Sequence, residues 1–166
     1  MSATLSACEQ YRYRLERQVA PLLNDHHEPV LFIGVNPSTA DAIEDDATIR
    51  KMSGFILRWG FTRFMVGNVF GYRATDVKEL ADIVDPVGLD NYTHLRQMIK
   101  ECAVIVPCWG NQSKVPKHLR VQFNVVRSFL LLQAKPVMVF GLTNSGDPLH
   151  PLMLPYTTPL QLWSKI

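Results

Sequence analysis

The sequence predicts a single α/β domain over residues 1–166, a three-layer sandwich with a four-stranded parallel sheet between helices. Two observations carry that expectation. Four short apolar runs, Val30–Val35, Phe64–Val69, Ala103–Cys108 and Pro136–Gly141, are rich in β-branched or aromatic residues and do not alternate with polar ones. That is the pattern of strands covered on both faces. Segments of helical periodicity lie between the runs, which gives the alternation that parallel sheets require. A composition of 47% hydrophobic and 19% charged residues is enough to bury the core such a fold needs.

The elements follow in order. An N-terminal helix over residues 5–23 is expected to pack outside the sheet, before the first strand. Residues 46–59 place Ile49, Met52, Ile56 and Trp59 on one helical face, and Gly60 closes the helix. A short amphipathic piece over 76–83 follows Thr75 as a possible cap. Residues 90–101 align Leu95, Met98 and Ile99, and residues 115–133 align Leu119, Phe123, Val126 and Leu130. There is no repeat, low-complexity tract or linker to mark a second domain.

Composition narrows the function classes. No apolar run reaches the roughly 18 residues that cross a bilayer, and the N-terminal stretch lacks the apolar centre of a signal peptide. A cytoplasmic monomer without membrane association is expected. Cys8, Cys102 and Cys108 are odd in number and form no CxxC pair, against a disulfide framework or closed zinc site; Cys102 and Cys108 read as buried packing residues. The five histidines show no HxH or HxxxH spacing, so neither metal nor cofactor is expected. A net charge of +2 is too small to argue for nucleic acid alone, but residues 111–127 carry Lys114, Lys117, His118, Arg120 and Arg127 with no acid.

In open parallel sheets ligands bind beyond the carboxyl ends of the strands. The first strand runs into Gly34, Asn36, Pro37, Ser38, Thr39 and Asp41. Pro37 pushes Asn36 toward an extended conformation that projects its amide at the strand end; the alternative is a turn capped by polar side chains. The second strand ends in Asn68, followed by Phe70, Tyr72 and Arg73. An amide there can read a base edge, aromatics can stack on a base and arginine can hold a phosphate. Alternatively, Asn68 ties down a loop and the aromatics are core. Trp109 after the third strand reads as structural. After the fourth, His150 sits in a proline-rich loop beside Leu152 and Met153, either as a functional group or as a satisfied structural histidine.

Two resemblances bear on these residues. Asn36-Pro37-Ser38-Thr39-Ala40-Asp41, Asp45-Asp46, Thr48-Ile49-Arg50, Asn68, Tyr72-Arg73-Ala74-Thr75, Trp109-Gly110-Asn111 and His150-Pro151 together resemble a bacterial and phage family of unknown function, over about residues 28–163. More distantly, Gly34-Val35-Asn36-Pro37, Phe64-Met65-Val66-Gly67-Asn68 and His150-Pro151-Leu152 are similar, in order and placement, to three motifs of the uracil-DNA glycosylase superfamily. That resemblance implies a DNA glycosylase on a four-stranded parallel sheet. Asn36 would position the attacking water, with Asp41 or Asp46 adding negative charge near the sugar. Neutral His150 would donate to the departing base. Asn68 would read the base, with Ser38, Thr39, Phe70 and Tyr72 lining its pocket. Lys114, Lys117, Arg120, Arg73 and the N-terminal arginines would meet phosphates, and Leu152 and Met153 would fill the gap in the duplex. The iron–sulfur cluster of some branches is not expected, because three cysteines cannot supply its four ligands. The polar, acidic run from Ser38 to Asp46 points to a hydroxylated or glucosylated pyrimidine rather than plain uracil. A bacterial or phage setting then implies defence against modified phage genomes. Two rival classes fit the same residues: a nucleoside or nucleotide hydrolase or deoxyribosyl transferase acting on free nucleotides, and a non-catalytic nucleic-acid-binding module.

Overall fold

The computed structural model describes residues 2–21, 28–38 and 45–164. Its centre is a five-stranded mixed sheet. Three parallel strands form the middle: β3 (Val30–Gly34) lies between β4 (Arg63–Asn68) and β5 (Val104–Pro107). Three of the four expected strands are thus in the sheet, but it is mixed and five-stranded, not four-stranded and parallel. An antiparallel hairpin, β1 (Ser2–Leu5) and β2 (Arg12–Gln18), adds to the free edge of β4 and gives the order β1-β2-β4-β3-β5.

The hairpin replaces the helix expected over residues 5–23, of which Leu22 and Leu23 lie outside the described residues. The physical reason is in the pattern Tyr11-Arg12-Tyr13-Arg14-Leu15-Glu16-Arg17. It alternates large and charged residues with a period near two, and the β4 edge offers unpaired backbone groups that a helix could not satisfy. The fourth apolar run is also shorter than expected. Only Val137 bridges to Ile105 in parallel fashion. The next two residues, β6 (Met138–Val139), pair antiparallel with β7 (Gln161–Leu162) as a separate ribbon.

Helices cover both faces. Strand residues Val30, Phe32, Phe64, Val66 and Val106 pack with Ile49, Met52, Phe55 and Ile56 of α1 (Ala47–Arg58). Their neighbours Leu31, Ile33, Met65 and Ile105 face the other way, onto Leu95, Met98 and Ile99 of α2 (Asn91–Glu101) and Phe123, Val126 and Leu130 of α3 (Val121–Leu131). This is the period-two division a two-sided sheet imposes. Asp46 caps α1 by accepting from the Ile49 N–H at 2.8 Å, and Gly60, at φ +77°, closes it in the left-handed conformation that glycine adopts without strain. The amphipathic piece is a 3-10 turn over Val77–Asp82 whose cap is Asp76, not Thr75. Asp76 wins because it forms a reciprocal capping box with Glu79. The helix expected over residues 115–133 is α3 preceded by two short 3-10 turns, Gln112–Lys114 and Lys117–Leu119, since Pro116 cannot continue a helix. Cys102 and Cys108 are buried, and burial raises their thiols to about 11 and about 12. Among the described residues no helix is long and apolar enough to cross a membrane.

Candidate functional site

A cleft of about 650 Å³ opens at the carboxyl ends of β3, β4 and β5. It falls there because the parallel strands all end on one side and their connections diverge. Val35, Ile49, Met52, Val66 and Val115 give it apolar walls, and Trp109 at the end of β5 closes one side. Trp109 is itself held edge-on by Trp163 at 5.8 Å and tilted against Phe123 at 5.6 Å, so this wall is rigid packing.

Asn68 lies in the cleft from the last position of β4. It is 4% exposed, and its side-chain amide makes no hydrogen bond among the described residues. The residue is largely covered, but its amide atoms are not enclosed: they open onto the cleft, where solvent or a ligand satisfies them. Its surroundings are built to tolerate the position. Asn68 pairs across the parallel ladder with Gly34, and a Cβ at Gly34 would come within 2.8 Å of Asn68 Oδ1. The backbone beneath is fixed by buried Asn91 at the start of α2, whose Nδ2 donates to the carbonyls of Asn68 at 3.1 Å and Val69 at 3.2 Å.

Asn36 lines the same cleft. Its Nδ2 donates to the carbonyls of Ala74 at 2.8 Å and Pro37 at 3.1 Å, which orients the amide and leaves Oδ1 without a donor among the described residues. His150 joins from the far side of the chain. Its Nδ1 accepts from the Leu152 N–H at 3.3 Å and caps the 3-10 turn Pro151–Met153. In the neutral ring that bond leaves the proton on Nε2. The ring's crowded surroundings push its pKa below 6.5, Asp46 works against the shift and Lys114 adds to it. His150 is therefore neutral at pH 7, with one donor to offer.

The other sequence candidates divide. Ser38 and Asp46 line the cleft, but they hold each other: the Ser38 hydroxyl donates to Asp46 Oδ2 while Oδ1 caps α1. Lys114 lies at the cleft with its side chain exposed, and Lys117 is exposed nearby in sequence. Leu152 and Met153 project from the turn that His150 caps, Met153 being 89% exposed. Thr39 and Asp41 lie outside the described residues. Phe70 does not line the cleft: it is fully buried and edge-on to Phe123, because the chain after Asn68 dives into the α2–α3 side of the core. Tyr72 is also elsewhere, edge-on to Tyr11 at 5.5 Å where the loop bridges to the hairpin. Arg73 donates to the Glu9 carbonyl, and Arg120 donates to the carbonyls of Val115 and Ser113, so both guanidinia fasten loops. Among the described residues no three His, Cys, Asp or Glu side chains gather as a metal site.

Of the N-terminal arginines expected to meet phosphates, Arg12, 3% exposed, reaches the cleft from β2, whereas Arg14 pairs with Glu101 and buried Arg17 with Asp45. The helix expected here hid that division; the alternation of residues 11–17 was the available signal.

The chain belongs to the family described as protein of unknown function DUF1643, which matches residues 12–152. The DUF1643 match begins at Arg12 and ends at Leu152, so it takes in each cleft residue discussed here. No curated protein and no solved structure matches the chain.

Proposed function

We propose that this protein is a DNA glycosylase that hydrolyses the N-glycosidic bond of an extruded, modified pyrimidine. The observation that carries the reading is Asn68, whose amide opens onto the cleft with no partner among the described residues, beside Asn36 Oδ1 and neutral His150. One amide supplies two donors and an acceptor, the set that a pyrimidine edge complements. In this reading Asn68 holds the base and Asn36 Oδ1 accepts from the attacking water. The His150 Nε2–H donates to a base oxygen as negative charge develops there. Lys114 and Lys117 meet the backbone, and exposed Leu152 and Met153 occupy the space the nucleotide vacates. Asp46 contributes field near the sugar, not proton transfer, since both its oxygens are engaged.

A second reading, hydrolysis or transfer on a free nucleotide, is favoured by one observation: Asp46 and Asp76 both line the cleft, where carboxylates oppose a polyanion. The experiment that separates them incubates the protein with duplexes containing uracil, a thymine mismatch, hydroxymethylated cytosine or glucosylated cytosine, and scores abasic sites by alkaline cleavage. Abasic sites at the modified cytosines in excess of uracil are expected. Equal or greater release of uracil rejects the modified-base specificity. Base release from free nucleotides but from no duplex supports the second reading.

A further inference from the structure

We propose that Asn91 is a positioning residue that aims the Asn68 amide at the base, a role that rests on the glycosylase reading of the cleft. Asn91 cannot touch a base itself: it is 1% exposed, opens α2 and lies outside the cleft lining. It acts on the backbone where β4 ends. In a regular strand successive N–H groups point to opposite sides. After Asn68 that alternation stops. The Val69 N–H donates to the Gly34 carbonyl at 3.0 Å and the Phe70 N–H to the Val35 carbonyl at 2.9 Å, both toward the chain of β3. In a trans peptide the carbonyl points opposite to the N–H, so the carbonyls of Asn68 and Val69 both turn away from β3. There a single nitrogen, Asn91 Nδ2, donates to them at 3.1 Å and 3.2 Å.

Two consecutive peptides are therefore held at both ends. In the peptide joining Asn68 to Val69, Gly34 takes the N–H and Asn91 the carbonyl; in the next, Val35 takes the N–H and Asn91 the carbonyl again. A peptide is planar, so holding both ends fixes its rotation, and with it the direction in which the Asn68 side chain leaves the strand. An amide suits this task, because its nitrogen carries two hydrogens, one for each carbonyl; a hydroxyl carries one and a carboxylate none. Asn91 Oδ1 is buried with no partner, so the side chain serves here as a double donor alone. On the opposite side a Cβ at Gly34 would come within 2.8 Å of Asn68 Oδ1, so the amide lies against the β3 backbone. A tilted strand end would lift it off. Hydrogen bonds to a base are steep in distance and angle, and a misplacement of about 1 Å costs on the order of 100-fold in rate.

The test is a double-mutant cycle on single-turnover base release at saturating protein. It uses whichever of the uracil, hydroxymethylated cytosine and glucosylated cytosine duplexes the full-length wild type acts on fastest. Asn91→Leu keeps the volume and removes both donors. Alone, it is expected to slow release by about 10- to 100-fold. In an Asn68→Ala background it is expected to slow release by less than about twofold, because a residue that acts through Asn68 then has nothing left to aim. Asn91→Ser keeps one donor should the leucine variant not fold. It is expected to lose less than the leucine variant, and to lose its effect in the same background. Full-rate release by Asn91→Leu, or a loss by either variant that is equal in both backgrounds, overturns the positioning role and leaves the glycosylase reading standing. No release of a base from any duplex by the wild type overturns both.

Discussion

His150 does two jobs with one ring: Nδ1 caps the turn that carries Leu152 and Met153, and Nε2 is left with the proton. Its pKa is lowered chiefly by desolvation of the ring against the cleft wall, although the residue as a whole is exposed; Asp46 opposes the shift and Lys114 adds to it. The folded ring therefore resists a proton that the unfolded chain accepts. Between the two pKa values the unfolded state binds more protons, so this group's contribution to stability falls as the pH drops below about 6.5. His150→Asn keeps an acceptor for the Leu152 N–H but cannot titrate. Its melting temperature is expected to decline less than that of the wild type between pH 7.5 and 5, and parallel curves would show that His150 is not the titrating group. The strand-end residues Asn36, Asn68 and His150 were legible as candidates because a parallel sheet gathers its strand ends, and the structure brings the three into one cleft. Phe70 and Tyr72 were not legible. Aromatics after a strand look the same whether they stack on a ligand or on Phe123 and Tyr11.

At the scale of elements, α1 ties the fold to the cleft. Asp46 caps its first turn, carries Ser38, and sits beside Asp45, which pairs with the side chain of Arg17 at 2.6 Å. Cap and charge can be separated. Asn caps a helix as well as Asp does, so Asp46→Asn is expected to change unfolding free energy by less than about 0.5 kcal/mol, whereas Asp46→Ala costs about 1 kcal/mol. If field near the sugar is the contribution of Asp46, the Asn variant loses base-release rate at nearly full stability. Unchanged rates in a fully folded Asp46→Asn would confine the residue to structure. The helix itself was readable from Ile49, Met52 and Ile56 and from its Asp46 and Gly60 ends, because local periodicity and capping chemistry suffice for an amphipathic helix. The N-terminal hairpin was not. Leu5, Leu15 and Val19 also suit a helical spacing, and what selects strand is the unpaired β4 edge, a partner far away in sequence.

For the whole molecule, the layered α/β architecture rests on apolar runs long enough to be seen in the sequence, while strand number rests on edges that are not. The fourth run shows the limit: Pro136 and the ribbon with β7 leave it a single parallel bridge to β5. The surface around the cleft makes a separate prediction. If duplex DNA is the partner, its binding weakens linearly in log salt, with a slope near −0.9 for each phosphate neutralised. The double variant Lys114→Gln, Lys117→Gln should flatten that slope by about 1–2. An unchanged slope would remove these lysines from the interface.

The most direct test of the account is a single-turnover measurement of abasic-site formation in a duplex carrying glucosylated cytosine, comparing the wild type with Asn68→Ala. The cleft is read as a base site because the Asn68 amide opens onto it with no partner among the described residues. The account predicts that the wild type releases the modified base. Because the variant loses two or three hydrogen bonds to the base, Asn68→Ala should release it at least about 100-fold more slowly, with its melting temperature little changed. Abasic sites formed equally fast by the variant, or by neither protein, would contradict it.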